Sequence, residues 1–193
     1  MKLTKMYWEE RYKNDQTGWD TGEPTPPIVS YIDQLTNKEI RILVPGCGNA
    51  YEAEYIYKSG FRNVFLLDIT ALPLENFHKR VPEFPENQLI LNDFFVFRDK
   101  FDLIIEQTFF CALNPELRSD YAKKCHELLN PQGHLAGLLF DDPLNEDKPP
   151  FGGSKEEYIS YFRPYFNFKI FETCYNSIPP RAGRELFINL IKK

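Results

Sequence analysis

The chain has 193 residues, which suits one domain with a sizeable apolar core. Its net charge of −5, without a basic block, argues against nucleic acid or an anionic membrane as a partner. No apolar run is long enough to span a bilayer, and residues 1–5 lack the apolar core of a signal peptide, so we expect a cytoplasmic location.

Cysteine and histidine are few and scattered along the chain. They are Cys47, Cys111, Cys125 and Cys174, with His78, His126 and His134. Neither set has the close spacing of metal ligands or of a disulfide framework. We therefore predict no metal site, free and mostly buried thiols, and histidines with a structural role.

The amino-terminal segment is predicted to be helical and rich in aromatic residues. Residues 4–14 predict an amphipathic helix that carries Trp8 and Tyr12 one turn apart, and Trp19 follows beyond its end. A short second helix is predicted over 28–35. From the pattern alone, these aromatic side chains either pack the segment on the body of the protein or form a lid over a ligand.

The central motif is a strand, a glycine turn and a helix. Residues 41–44 predict a buried strand, Gly46 and Gly48 follow it, and residues 49–57 predict a helix. This arrangement presents backbone N–H groups and the positive end of a helix to a ligand, although many tight turns also use glycine. Asp68 ends the next strand, at a spacing typical of an acid that accepts hydrogen bonds from a ribose diol. A nucleoside-bearing cofactor is therefore the first hypothesis.

Tyr51 limits the choice of cofactor. The dinucleotide fingerprint has a third small residue at this position, where it permits close packing of helix on strand. A tyrosine opposes that packing, so a nicotinamide-dependent dehydrogenase is the less favoured alternative.

Strands and helices continue to alternate along the rest of the chain. The predicted helices span 71–80, 115–129 and 154–165, and the predicted strands span 64–67, 89–91, 101–106, 134–140, 168–175 and 185–191. Such alternation predicts a parallel sheet with helices on both faces, hence a three-layer α/β fold, and the last two strands predict an antiparallel hairpin. The polar, proline-rich stretch 141–153 is either an active-site loop or a surface excursion.

Seven short stretches carry a resemblance to one enzyme family. They are Trp8–Tyr12, Gln16–Pro26, Leu43–Gly48, Phe101–Ile104, Phe109–Leu113, Pro149–Phe151 and Ile178–Arg181. Together they resemble the S-adenosylmethionine-dependent methyltransferases of the thiopurine methyltransferase-like family, and among these the halide/thiol methyltransferases most. The resemblance implies a Rossmann-like seven-stranded methyltransferase sheet in a single domain over 1–193, with residues 1–36 as a helical lid.

The resemblance also implies where S-adenosylmethionine binds. The implied cofactor contacts are Trp8, Tyr12 and Trp19 in the lid, Gly46 and Gly48 at the methionyl part, Asp68 at the ribose, Asp93 and Phe94 at the adenine, and Gln107 near the methionyl group. Tyr12 departs from the tryptophan that the family usually has, and relatives vary between arginine and tyrosine where Gln107 stands. Asp102, which opens a strand, is interpreted as a structural cap.

The acceptor side follows from the same resemblance and from the chemistry. Trp19, Phe109 and Phe110 are expected to wall a small dry pocket, and Arg181 either attracts an anion or pairs with a surface acid. A halide or thiolate has no proton to lose, so no general base is expected. Cys111 lies in an apolar run without a neighbouring histidine and is interpreted as an inert thiol.

These observations predict methyl transfer to a small soft nucleophile, such as a halide, bisulfide, thiocyanate or a thiol, with S-adenosylhomocysteine as the product. Two alternatives stay open. One is an O- or S-methyltransferase with a larger small-molecule acceptor such as a thiopurine, and the other is a cofactor-binding protein without catalysis. We expect a monomer that has a small-molecule or anionic acceptor as its partner.

Overall fold

Seven strands form one sheet between two layers of helices in a computed structural model that describes residues 3–193. Met1 and Lys2, part of the terminus predicted to lack a signal peptide, lie outside the described residues. The strands are β1 (Ile42–Pro45), β2 (Val64–Asp68), β3 (Leu89–Leu91), β4 (Phe101–Gln107), β5 (Leu129–Phe140), β6 (Phe166–Thr173) and β7 (Glu185–Lys192). Their order is β3-β2-β1-β4-β5-β7-β6.

Strand direction confirms the predicted mixed sheet. β1 to β5 pair in parallel, whereas β7 lies antiparallel between β5 and β6. The order reverses at β1, because the chain first moves outward to β2 and β3 and then returns to place β4 on the other side. Ligands of open α/β sheets bind at such a reversal, outside the carboxyl ends of the strands.

Six α-helices accompany the strands within residues 3–193. They are α1 (Lys5–Lys13), α2 (Pro26–Asp33), α3 (Tyr51–Lys58), α4 (Ala71–Arg80), α5 (Arg118–Leu128) and α6 (Lys155–Phe162). Ser154 caps α6 by accepting a hydrogen bond from the backbone N–H of Glu157, as its sequence predicts. Helix α4 spans the predicted range 71–80, and α3 begins at Tyr51, close to its predicted start at 49.

The apolar core has two halves, one on each face of the sheet. Alternating side chains of a strand point to opposite faces, so Leu43 belongs to the half under α5 and α6, whereas Ile42 and Val44 belong to the half under α2, α3 and α4. All three side chains are buried. Burial on both faces explains why the sequence of β1 is continuously apolar.

Several boundaries differ from their prediction: β6 spans Phe166–Thr173 where 168–175 was predicted, and α2 spans Pro26–Asp33 where 28–35 was predicted. Two further differences lie at prolines. The predicted helix 115–129 begins with a separate 3-10 turn, Pro115–Leu117, and α5 starts only at Arg118. The strand predicted over 134–140 is longer, because β5 already begins at Leu129. It is irregular over 130–133, since Leu129 pairs with Phe101 while His134 pairs with Leu103. Pro115 opens the 3-10 turn, a position that tolerates proline, whereas Pro131 lacks the backbone N–H that a regular ladder uses.

Candidate active site

A cavity of about 900 Å³ opens at the carboxyl ends of β1, β2 and β4. The amino-terminal segment and the loop 141–153 contribute to its walls. All nine residues predicted to contact the cofactor line this cavity, namely Trp8, Tyr12, Trp19, Gly46, Gly48, Asp68, Asp93, Phe94 and Gln107. The fold thus gathers residues from five separate parts of the sequence in one place.

The glycine turn after β1 forms the floor of the cavity. Gly46 and Gly48 have φ angles of 55° and 53°, in the left-handed region that favours glycine. A Cβ on Gly46 would lie 2.1 Å from Cδ2 of Phe109, and one on Gly48 would lie 3.0 Å from the hydroxyl of Tyr12. The turn therefore needs glycine both for its conformation and for the close approach of these rings.

Asp68 joins this turn to the end of β2. Its Oδ2 accepts a hydrogen bond from the N–H of Gly48 at 3.2 Å, and its Oδ1 accepts two from the N–H and hydroxyl of Thr70 at 2.9 and 2.7 Å. Burial raises the pKa of Asp68, and these hydrogen bonds oppose that rise. A carboxylate has about four acceptor positions, so Asp68 keeps capacity for a ligand hydroxyl.

Gln107 brings an unsatisfied acceptor to the cavity. It ends β4 and lines the cavity, and its Oε1 is buried without a hydrogen-bond partner among residues 3–193. Buried polar atoms nearly always have a partner, so this oxygen fits a ligand that donates an N–H. The ammonium of a methionyl group is such a donor.

Asp93 and Phe94 follow the end of β3 at the side of the cavity. Asp93 is exposed, and its Oδ1 accepts a hydrogen bond from the N–H of Phe95 at 2.8 Å. Phe94 is nearly buried, with its ring centroid 5.3 Å from that of Phe109 in an edge-to-face pair. A carboxylate beside an aromatic edge offers both a hydrogen bond and an apolar contact to a base.

The amino-terminal segment covers the cavity and also packs on the body. The ring centroid of Trp19 lies 5.7 Å from that of Trp8 and 5.8 Å from that of Tyr12, both in edge-to-face pairs. The side-chain amide of Asn49 donates a hydrogen bond to the carboxylate of Asp20. The two interpretations of this segment thus describe one arrangement, since the same rings pack together and line the cavity.

Of the four residues predicted to contact the acceptor, Phe110 lies outside the cavity lining. Trp19, Phe109 and Arg181 line the cavity, but Phe110 does not. Its side chain is 1% exposed and packs edge-to-face on Tyr121 and Tyr158 in the core. The prediction that Phe110 walls the acceptor pocket is therefore wrong, because the chain turns at this point and directs the two adjacent rings to different environments.

Arg181 connects the carboxy-terminal turn to the lid. Its Nη2 donates a hydrogen bond to the backbone oxygen of Trp19 at 3.0 Å, and its Nη1 lies 3.5 Å from Oε1 of Glu185. Glu185 is 2% exposed, so the partner acid is buried rather than on the surface. The arginine therefore has two structural contacts while it lines the cavity.

Comparison with known proteins identifies the family. Residues 3–186 match the thiopurine S-methyltransferase family. This chain belongs to that family. It is an S-adenosylmethionine-dependent methyltransferase, and the residues described above fit that cofactor.

Relatives and solved structures agree with this assignment. The protein named "Probable thiol methyltransferase 2" from Arabidopsis thaliana is 34% identical, over 92% of this chain and 81% of its own. Thiocyanate methyltransferase 1 from Brassica oleracea is 33% identical over the same shares. A Burkholderia thailandensis N-methyltransferase, solved with 1,6-didemethyltoxoflavin and S-adenosylhomocysteine, matches 98% of this chain and 87% of its own with a TM-score of 0.78 at 15% identity, which shows the shared fold.

The thiols at the cavity of the methyltransferase have raised pKa values, and its histidines lie elsewhere among the described residues. Cys111 lines it, but burial raises the pKa of its thiol to about 12, and burial raises that of Cys47 well above its usual value. His78 and His126 lie on α4 and α5, and His134 bonds to Asn189 with 2.7 Å between Nδ1 and Oδ1. No histidine of residues 3–193 lines the cavity.

The structure also shows where Asp102 and the loop 141–153 lie. Asp102 accepts hydrogen bonds from the N–H of Arg41 and the amide of Asn130, which confirms its structural interpretation. Leu144 and Pro149 line the cavity, so the loop 141–153 forms part of its wall. Within residues 3–193, no helix is long and apolar enough to cross a membrane.

Sequence reasoning missed several polar residues around the cavity. Asp20 and Asn49 stand next to residues that were singled out, Trp19 and Gly48, and that adjacency was the available signal. Glu52 lines the cavity but had no such signal, because its partner Thr25 is distant in sequence. Glu185 does not line the cavity and contacts it through Arg181. Glu52 accepts hydrogen bonds from the N–H and hydroxyl of Thr25 at 3.2 and 3.3 Å.

Proposed function

We propose that this methyltransferase transfers the methyl group of S-adenosylmethionine to a small soft nucleophile, such as a halide, bisulfide, thiocyanate or a thiol. The observation that carries the proposal is the acceptor side of the cavity. It presents Trp19, Phe109 and Arg181 and, within the described chain, no histidine. Such a wall suits a nucleophile that arrives without a proton to remove. The thiol and thiocyanate methyltransferases among the relatives support this choice.

The chain's own residues would hold the cofactor at the floor of the cavity. Asp68 receives the ribose hydroxyls, Gln107 Oε1 accepts from the methionyl ammonium, and the turn at Gly46 and Gly48 admits the methionyl part along its backbone. Asp93 and Phe94 receive the adenine. Trp8, Tyr12 and Trp19 cover it from the lid. Once bound, the cofactor supplies an electrophilic methyl group on a sulfonium.

The residues around the acceptor then act by positioning and by excluding water. An in-line displacement requires that the nucleophile, the methyl carbon and the sulfur are aligned. Alignment can lower the activation barrier by about 7–11 kcal/mol. Aromatic faces at Trp19 and Phe109 tolerate a neighbouring cation, worth about 0.5–2 kcal/mol per contact. They also exclude water, which leaves the anion less solvated and more reactive.

Arg181 contributes positive charge to this wall. Its Nη1 lies 3.5 Å from Glu185, longer than an ordinary hydrogen bond, so its N–H groups keep capacity for an anion. We propose that this group draws an anionic acceptor to the cavity, while its second nitrogen stays bonded to the lid.

A second candidate is a larger aromatic thiol such as a thiopurine. The cavity of about 900 Å³ holds the cofactor side and the acceptor side together. The cavity also extends to Leu144 and Pro149 in the loop 141–153, which gives an acceptor ring an apolar surface. This extension is the observation that favours the second candidate over a halide.

The test is a panel of acceptors. Purified protein is incubated with S-adenosylmethionine and, separately, with iodide, bisulfide, thiocyanate, thiophenol and a thiopurine. Gas chromatography of the headspace detects methyl iodide and methyl sulfides, and liquid chromatography detects the methylated thiopurine. Product with the small acceptors, reduced with Asp68→Ala at the same cofactor concentration, supports the proposal. Product with the thiopurine alone supports the second candidate, and cofactor binding without any product supports a non-catalytic role.

We also infer a cytoplasmic monomer with one domain over 1–193. Within the predicted lid, 1–36, the residues that line the cavity lie between Leu3 and Thr21, whereas Ile28 and Ile32 of α2 pack in the core. The single seven-stranded sheet supports one domain, and the net charge of −5 supports a partner other than nucleic acid or membrane. Light scattering coupled to gel filtration measures the molecular mass in solution, and a mass near 22.8 kDa is expected.

A further inference from the structure

Glu106 is a wholly buried acid that the cofactor and acceptor contacts leave unused. It lies in β4 directly before Gln107, with 0% of its surface exposed. Its Oε1 accepts hydrogen bonds from the backbone N–H groups of Phe109 and Phe110, both at 2.8 Å. Its Oε2 accepts one from the hydroxyl of Tyr121. Among residues 3–193 no cation pairs with Glu106. Burying such an acid is costly, so its hydrogen bonds have to offset that cost.

The backbone after β4 explains why an acceptor is needed here. Thr108 has a φ of 58°, an uncommon conformation for a β-branched residue, and it turns the chain away from the strand. A short 3-10 turn, Phe110–Ala112, begins at once. The first N–H groups of such a turn have no carbonyl partner within it. Glu106 supplies the missing acceptor for two of them.

This turn places Phe109 between the cofactor side and the acceptor side. Its ring lies against Gly46, where a Cβ would be 2.1 Å from Cδ2, and meets the ring of Phe94 at 5.3 Å between centroids. Phe110, held by the same oxygen, points into the core instead. The orientation of the chain at 108–110 therefore decides which of the two rings reaches the cavity.

We propose that Glu106 is a positioning residue for methyl transfer. It holds the turn at 108–110 so that the ring of Phe109 walls the space in which methyl group and acceptor align. The inference rests on the proposed function, because it assigns Phe109 to the acceptor side. A glutamine at this position would keep the role, since its oxygen accepts both N–H groups and its NH₂ donates to Tyr121, whose hydroxyl also has the thiol of Cys125 beside it.

The experiment compares Glu106→Ala with Glu106→Gln. For Glu106→Ala we expect kcat/KM for the acceptor to fall at least about tenfold, since a misplacement of about 1 Å can cost 10²-fold. The Kd for S-adenosylhomocysteine, measured by calorimetry, should change less than about threefold, because Asp68 and Gly48 stand on other elements. Glu106→Gln should restore kcat/KM. Equal losses in both variants, or an unchanged kcat/KM in Glu106→Ala, would overturn the proposal.

Asp102→Ala is the matched control. It removes another acid from the same strand, at the opposite end, where it bonds Arg41 and Asn130. We expect it to lower thermal stability without changing the acceptor kcat/KM. A tenfold loss in this control as well would show that any damage to β4 reduces turnover, and that result too would overturn a specific role for Glu106.

Hydrogen exchange tests the proposal without relying on catalytic activity. Hydrogen exchange of the Phe109 and Phe110 amides should be slow in wild type and Glu106→Gln and fast in Glu106→Ala. It measures the position of the turn even when wild type methylates no acceptor, an outcome that would refute the proposed function instead. If Glu106→Ala does not fold, Phe109→Ala replaces it, and full activity of that variant would contradict the proposal.

Discussion

Asp68 illustrates how one side chain can serve both the fold and the ligand. Its carboxylate bonds the glycine turn through Gly48 and the start of α4 through Thr70, so it fixes two loops at the edge of the cavity. Only 8% of its surface is exposed, which limits competition from water. An acceptor held in place by three donors is already oriented before a ligand arrives.

For Asp68→Ala we expect weaker binding of S-adenosylhomocysteine by about 10- to 100-fold. The loss of a hydrogen bond to a charged group costs about 1.5–3 kcal/mol, and about 1.4 kcal/mol corresponds to tenfold in Kd. Calorimetry measures the change, with Asp102→Ala as the control because that acid lies outside the cavity. Unchanged affinity in Asp68→Ala would refute the proposed binding mode.

The amino-terminal segment differs from the other elements in how it is held. Helix α1 buries none of its residues. The segment meets the body where the hydroxyl of Tyr12 lies beside Gly48 and through polar bonds at Asp20 and Arg181. Segments with little buried apolar surface open locally at low cost in free energy. A ligand beneath them adds contacts and makes opening costlier.

We therefore expect S-adenosylhomocysteine to slow tryptic cleavage after Lys5, Arg11 and Lys13. Mass spectrometry of timed digests identifies these sites and their rates. Asp68→Ala should lose the protection at the same ligand concentration, because it binds the ligand less tightly. Equal cleavage rates with and without ligand in wild type would show that these residues do not close over the cofactor.

Across the whole molecule, buried acids make stability depend on pH. Burial raises the pKa of Glu106 to about 7 from 4.5, and it also raises the pKa of Glu52, Asp68 and Glu185. A group whose pKa is higher in the folded state binds its proton more tightly there. Its contribution to stability is therefore present at low pH and decreases as pH rises.

For Glu106 we expect the free energy of unfolding to fall as pH rises from about 4.5 to about 7. The contribution is on the order of 3 kcal/mol, from about 1.4 kcal/mol per pKa unit. Urea unfolding at several pH values measures the slope. Glu106→Gln, which cannot titrate, should show a smaller decrease than wild type, and identical slopes would show that Glu106 does not titrate in this range.

Local pattern predicted most of the fold and the cofactor side of the site. Continuous apolar runs in the sequence located the buried strands. The run in β1 is continuous because both faces of that strand are covered. Gly46, Gly48 and Asp68 were found because a turn after one strand and an acid after the next meet at one edge of a parallel sheet. The geometry of these three residues depends on near neighbours in sequence and on strand pairing, and both produce a regular pattern in the sequence.

The sequence by itself therefore determined the strands, the helices, the glycine turn and the acid at the end of β2. Each depends on short-range stereochemistry and on the spacing of apolar residues along the chain. Only the tertiary structure decided between Phe109 and Phe110, which are adjacent and chemically identical. A left-handed residue at Thr108 and the buried carboxylate of Glu106 direct one ring to the cavity and the other to the core. Likewise, the bond from Arg181 to the lid joins parts of the chain that are distant in sequence, and its pairing with Glu185 depends on the fold of the turn between them.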